Sequence, residues 1–405
     1  MSFPPVVRAD WVGAPEGLTL IADGSVTSPE WFVASGVACG LKDSGKRDLG
    51  ILASMVPAAS ALVLTTNVLP AEPIIRAKGL DASALSAVVV NSGNANAATG
   101  PQGLADTFEM AERAAEAIGR APEGVLTSST GVIGRLFDMN VVRRGIDMAA
   151  GVLSSSGGAD FAEAICTTDR APKAGAFVLE LSGGTVTLGV AAKGAGMIRP
   201  TMATMLCYVT TDAALDAHDL QRATAAAATT SFNRISVDGQ MSPSDTLLVT
   251  ANGMGAPLAG DDLNRFAEAL AAICRWAAIQ MVKDGEGAEH AVRVVVTGAN
   301  DDAEADRVAR AVGESPLVKS AMYGRDPNWG RISQAVGQAL IGTAGDPAFT
   351  LTFDGLATDA PGVAEVMARE EYDLTVSLCR GTGESHVWVS DLTHAYVSLN
   401  ADYTT

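Results

Sequence analysis

The sequence predicts an α+β fold in which mixed β-sheets are layered with flanking helices. Three observations carry this. Helical and strand patterns interleave along all 405 residues instead of segregating into halves. Two pairs of strand-like segments joined through glycines read as hairpins, which a doubly wound parallel sheet would not contain. Finally, 48% of the residues are hydrophobic, enough at this length for two or three domain-sized units with their own cores.

In chain order, Ala87-Val-Val-Val-Asn91 is a short apolar run and reads as a buried strand entering a polar turn. Residues 104–118 place Leu104, Phe108, Ala111, Ala115 and Ile118 on one helical face. Gly124-Val-Leu126 reads as a strand that gives way to a small-residue turn, and residues 142–153 as a second amphipathic helix. Segments 177–182 and 185–190, joined by Gly183-Gly184, form a hairpin that feeds the loop at Lys193. A half-buried strand over 203–210, a helix over about 217–232 and a strand over 246–250 follow. Next come a long helix over 262–282, a strand over 292–297 and a helix over 303–312. The last third holds a strand over 349–353 and a second hairpin, 374–378 with 386–390, joined through Gly381 and Gly383. The sequence shows no internal repeat, low-complexity stretch or linker.

Composition excludes several function classes. A formal charge of −18 argues against nucleic acid as a partner, because phosphate binding needs clustered Lys and Arg. The five cysteines, Cys39, Cys166, Cys207, Cys274 and Cys379, are scattered and free of CxxC spacing, which predicts buried reduced thiols. The four histidines show no metal-ligand spacing, so no metal is expected. No apolar run approaches the roughly 20 residues needed to span a bilayer. With no signal-peptide hydrophobic region after Met1, a cytoplasmic protein is expected. Gly40-Leu-Lys-Asp-Ser-Gly-Lys46 fits the start of a P-loop, but Arg47 stands where magnesium binding needs Ser or Thr.

The most informative segment is Lys193-Gly-Ala-Gly-Met-Ile-Arg-Pro-Thr-Met-Ala-Thr-Met-Leu206, which sets Thr204 directly after Ala203. A threonine hydroxyl is a poor nucleophile without a base beside it. As the first residue of a chain it would have one, because an α-amino group of pKa about 7.7–8.0 is partly unprotonated near neutral pH. Thr204 reaches that state only if the Ala203–Thr204 bond breaks, through attack of its own hydroxyl on the preceding carbonyl. On local chemistry the plainer reading, a glycine turn followed by a strand, is the stronger. Resemblance reverses it.

The segment is similar to the self-cleavage and nucleophile motif of the ornithine acetyltransferases, the glutamate N-acetyltransferases of arginine biosynthesis. The resemblance continues through Gly36-Val-Ala-Cys-Gly-Leu-Lys42, Asn91-Ser-Gly-Asn-Ala-Asn-Ala-Ala-Thr-Gly100 and Ser128-Ser-Thr-Gly-Val-Ile-Gly134. It extends through Thr167-Thr-Asp169, Asp284-Gly-Glu-Gly287, Leu317-Val-Lys319, Asp326-Pro-Asn-Trp-Gly-Arg-Ile332 and the tail Asn400-Ala-Asp-Tyr-Thr-Thr405. These blocks stand in the family's order and span nearly the whole chain.

The resemblance implies two chains, 1–203 and 204–405, cut from one precursor at Ala203–Thr204, folded together and assembled as an α2β2 heterotetramer. It implies acetyl transfer from N2-acetylornithine to glutamate through an acetyl-Thr204 ester, with no cofactor and with acetyl-CoA as a candidate second donor. Thr130 and Gly131 would form the oxyanion hole. Thr167, Lys193, Thr204, Glu286, Asn400 and Thr405 would contact substrate, Lys193 suiting a carboxylate and Glu286 an ammonium. Locally, Thr130–Gly131 also reads as an ordinary turn, Lys193 as a solvated lysine, Glu286 as a helix-end charge and Asn400–Thr405 as a loose tail. Gln240, Met241, Pro243, Ser244, Glu289 and His290 depart from the family pattern, which leaves room for another N-acyl amino acid as donor. A self-processing hydrolase or aminopeptidase, with water as acceptor, and a non-catalytic binding protein are the alternatives.

Overall fold

The computed structural model describes residues 7–199 and 205–402. Ala203, Thr204 and Thr405 lie outside the described residues. The expected α+β class is found, as three sheets with helices packed on them. Two sheets face each other. The first has six strands in the order Leu18–Ile21, Lys173–Leu181, Gly184–Lys193, Leu206–Thr211, Thr246–Ala251, Ala59–Leu64, antiparallel except for the pair 206–211 with 246–251. The second has four, in the order Phe32–Val37, Leu49–Ser54, Ala87–Asn94, Val125–Val132.

Side-chain alternation explains the layering. Along the first sheet, Leu206, Tyr208 and Leu248 point into a core shared with Leu52, Val88, Val90 and Leu126 of the second. Their neighbours Cys207, Val209, Leu247 and Val249 point the other way, onto helices Ala217–Thr230 and Asp261–Lys283. Ala87, Val89 and Ile51 face out from the second sheet onto helices Gly100–Ile118 and Met139–Gly151. Strands apolar on both faces must be covered on both, and a helix–sheet–sheet–helix stack does this. The third sheet, built on strands Gly383–Ser390, Ala291–Ala299 and Glu371–Leu378, has its own core with helices Asp302–Gly313, Pro316–Tyr323 and Trp329–Ala339.

Four sequence expectations need correction. The 374–378 and 386–390 segments do not pair, because Ala291–Ala299 lies between them, parallel to one and antiparallel to the other. Val292, Val294 and Val296 are fully buried and the strand needs partners on both edges. The connection wraps around its end, with the N–H groups of Arg380 and Gly381 both donating to Gly298 O at 2.9 Å. Asn91–Asn94 and Ser128–Val132 are not turns but continuations of parallel-paired strands. Helix 100–118 packs through Met110, Ala111, Ala114 and Ala115, while Phe108 is half exposed under the Arg76 guanidinium. Its alanine-rich face admits the sheet more closely than the bulky stripe would. Of the cysteines, Cys207 and Cys274 are buried but Cys379 is exposed.

Candidate active site

A cavity of about 260 Å³ opens where the facing sheets meet the end of helix 261–283. It gathers six of the residues singled out from sequence: Thr130, Gly131, Thr167, Lys193, Glu286 and Asn400. Thr130 and Gly131 lie near the end of strand 125–132, in register with Ser92 and Gly93. Gly131 has φ +131°, and a Cβ there would stand 2.4 Å from the Gly93 carbonyl carbon. Only glycine fits both the conformation and the approach.

Lys193 ends strand 184–193 and is 1% exposed, so it is not a solvated lysine. Its ammonium donates to Thr167 Oγ1 at 3.3 Å. Burial lowers the lysine pKa, and the charge of Asp169 opposes that fall. Asp169 is the hub beneath this corner. Its carboxylate accepts from Thr167 N at 3.0 Å and from Gly194 N at 2.8 Å, and it pairs with Lys173 at 2.5 Å. Burial alone would raise its pKa, but Lys173 and Lys193 overcome this and hold it at about 2. Lys173 also reaches Asp284, which binds Arg170 on the outside.

Glu286 follows helix 261–283 and is fixed through its N–H to Ala195 O at 2.9 Å. Its carboxylate accepts from Asn400 Nδ2 at 2.9 Å. Asn400 belongs to helix His394–Asp402, which docks on Gly287, where Thr393 Oγ1 donates to Gly287 O at 2.7 Å. This end of the chain is therefore a helix against the cavity up to Asp402, not a loose tail.

Sequence reasoning missed the aspartates that hold the backbone on either side of residues 200–204. Asp238 accepts from Met197 N and Ile198 N at 2.6 and 2.9 Å, and Asp245 from Met205 N at 3.1 Å. Both lie in the 236–246 stretch around Gln240, Met241, Pro243 and Ser244, where they were visible only as loop acids. Of the departures there, Gln240, Pro243 and Ser244 line the cavity, whereas His290 is buried against Asp391, Nδ1 to Oδ2 2.7 Å. Glu289 and His290 line a separate cleft of about 710 Å³ that contains none of the six residues. That cleft is larger, but the convergent polar groups are in the smaller one.

The P-loop resemblance is also explained. The amides of Cys39, Gly40, Leu41 and Lys42, which would cradle a phosphate, all donate to the Asp48 carboxylate at 2.7–3.0 Å. An anion already fills that nest. Asp216 and His218, both exposed, and half-buried Asp219 lie close enough together to hold a metal ion, but Asp216 caps helix 217–230 by accepting from Asp219 N at 2.8 Å. Among the described residues, no helix is long and apolar enough to cross a membrane.

Residues 33–405 match the model of the ArgJ family. An "Arginine biosynthesis bifunctional protein ArgJ" from Symbiobacterium thermophilum is 46% identical over 399 residues, covering 94% of this chain and 99% of that protein. One of the same name from Bacillus licheniformis is 42% identical over 398 residues, covering 95% and 97%. The solved structure of an ornithine acetyltransferase complexed with ornithine, from Mycobacterium tuberculosis, is 35% identical. It covers 47% of this chain and 100% of that one, with a TM-score of 0.43.

Proposed function

This chain belongs to the ArgJ family, and from that premise we propose that it is a self-cleaving acetyltransferase acting between N2-acetylornithine and glutamate. The observation that carries the reading is the single small cavity in which Thr130, Gly131, Thr167, Lys193, Glu286 and Asn400 converge beside Gly196 and Met197, just ahead of Thr204. Ligand pockets span about 300–1,000 Å³. A cavity below that range suits one amino-acid-sized substrate at a time, as a ping-pong reaction requires.

In this mechanism Thr204 Oγ attacks the acetyl carbonyl while its own released amine takes the hydroxyl proton. The Thr130 hydroxyl and Gly131 N–H stabilise the tetrahedral oxyanion. The amine returns the proton to the departing ornithine nitrogen, leaving an acetyl ester on Thr204. The glutamate amine then attacks that ester, its proton passes through the Thr204 amine to Thr204 Oγ as the ester C–O bond breaks, and N-acetylglutamate leaves with Thr204 regenerated. Lys193 holds the substrate carboxylate and Glu286 the ornithine side-chain ammonium, so opposite charges at the two walls set the donor's orientation. Thr167 supports Lys193, and Asn400 orients Glu286. We assign Thr405 to the substrate contacts on family resemblance alone.

The same reading makes 1–203 and 204–405 the chains of a cytoplasmic α2β2 enzyme. The word "bifunctional" in the relatives' name supports a second activity, for which acetyl-CoA is the donor we infer. Because Gln240, Pro243 and Ser244 line the cavity, a donor other than N-acetylornithine is the second reading. An intact-mass spectrum after incubation with N-acetylornithine tests the first. Fragment 204–405 should appear and gain one acetyl group, then lose it when glutamate is added. An uncut chain, or product formed equally well without glutamate, refutes the transferase reading.

A further inference from the structure

Under the transferase reading the cavity must hold two side chains of opposite charge in turn. N-acetylornithine ends in an ammonium and glutamate in a carboxylate, and each must present its α-nitrogen to the same reacting carbonyl. Glu286 suits the first and would repel the second. A fixed cation at this wall would reverse the problem. A neutral group that can donate as well as accept serves both, and a hydroxyl is such a group.

Tyr396 supplies one. It lines the cavity together with Asp238, Glu286 and Asn400. Its backbone rests on Gly287, where a Cβ would stand 2.4 Å from Tyr396 N, and its N–H donates to Thr393 Oγ1 at 3.1 Å. Helix His394–Asp402 is thereby fixed against the residue that follows Glu286. The Tyr396 hydroxyl has no hydrogen-bond partner among the described residues. Asn400, one turn along the helix, has both amide hydrogens committed, to Glu286 Oε2 at 2.9 Å and to Tyr396 O at 3.1 Å. Burial, with the charges of Asp238 and Glu286, pushes the phenol up to about 12, so the hydroxyl keeps its proton throughout the neutral range.

We propose that Tyr396 sets acceptor specificity: its hydroxyl donates to the side-chain carboxylate of glutamate in the second half-reaction. The inference rests on the transferase reading and names the group that recognises its acceptor. In the first half-reaction Glu286 holds the ornithine ammonium, and the hydroxyl turns to accept from it. Loss of the hydroxyl therefore removes the group that holds glutamate, while N-acetylornithine retains Glu286.

The test compares wild type with Tyr396→Phe, which removes the hydroxyl and keeps the ring. Acetylation of wild-type fragment 204–405 by N-acetylornithine, and its discharge by glutamate, are measured first. Absence of either overturns the transferase reading and this inference with it. With both present, kcat/KM for each substrate reports that substrate's own half-reaction. Tyr396→Phe should lower kcat/KM for glutamate by about tenfold or more, as loss of a hydrogen bond to a charged group does. The value for N-acetylornithine should fall far less. An unchanged kcat/KM for glutamate, or equal losses for the two substrates, overturns the proposal and leaves the transferase reading standing. Should the variant fail to fold or cleave, a crystal structure of wild type with glutamate decides. Tyr396 Oη within about 3 Å of the side-chain carboxylate supports the contact, and an Oη turned away from it refutes the proposal.

Discussion

Gly196 offers a direct way to move one charge in the cavity without touching its chemistry. A Cβ at this position would stand 2.6 Å from Glu286 Oε1 and 2.7 Å from Oε2, whereas ordinary contact begins at 3.4 Å. Gly196→Ala therefore requires the carboxylate to retreat by about 0.8 Å, the difference of those distances. The obstruction is the end of a flexible side chain and Gly196 is not at positive φ, so the fold should absorb the change. The displaced carboxylate would lose its bond from Asn400 and, on the proposed reading, its place opposite the donor ammonium. A hydrogen bond to a charged group contributes about 1.5–3 kcal/mol, equivalent to roughly 10- to 150-fold in affinity. We expect KM for N-acetylornithine to rise within that span. N-acetylnorvaline, which lacks the ammonium, should be affected far less, and Tm should stay near wild type. Steady-state kinetics with both donors and a thermal melt check this. Equal losses for the two donors, or an unchanged KM for the charged one, would refute the placement of Glu286 against the ammonium.

Four further outcomes follow from the same geometry. Thr130→Ala should lower kcat by about 10²–10³ with little change in KM, as loss of one oxyanion donor does; a raised KM with unchanged kcat would make Thr130 a binding residue. Glu286→Gln keeps the shape and removes the charge, so acetyl transfer from N-acetylornithine should suffer more than from N-acetylnorvaline, measured as kcat/KM for each. Asp169→Asn removes the charge that opposes the burial-driven fall of the Lys193 pKa. The lysine should then lose its proton at lower pH, shifting the alkaline limb of kcat/KM downward; an unmoved limb would show that Asp169 acts by packing alone. Removing residues 400–405 should leave self-cleavage intact on denaturing gels while sharply reducing transfer, since Asn400 orients Glu286 but has no part in breaking the 203–204 bond.

Some of this was legible in the sequence and some was not, for physical reasons that differ by residue. The hairpin 173–193 and helix 261–283 are local patterns, and they form close to where periodicity put them. The 371–390 region failed because pairing is a contest: Ala291–Ala299, distant in sequence, outcompetes the local partner. The Thr130–Gly131 block failed as a turn because Ser, Thr and Gly describe local flexibility. Here the parallel partner strand 87–94 supplies the missing constraint.

Resemblance, not local pattern, singled out Lys193 and Glu286, and the fold brings both to the wall of one cavity. The candidate site was hidden where the role is to hold backbone. Asp169 accepts the backbone N–H groups of Thr167 and Gly194, Asp238 those of Met197 and Ile198, and Asp245 that of Met205. Any loop acid looks the same in one dimension. Burial separates them: at Asp169 the lysines and hydrogen bonds outweigh lost hydration and keep the carboxylate charged, whereas at Asp238 and Asp245 burial raises the carboxyl pKa. The dependence also runs the other way. Asp169 occupies the Gly194 amide and Asp238 those of Met197 and Ile198, so the bend that follows Lys193 is held by side chains that no proposed reaction step touches.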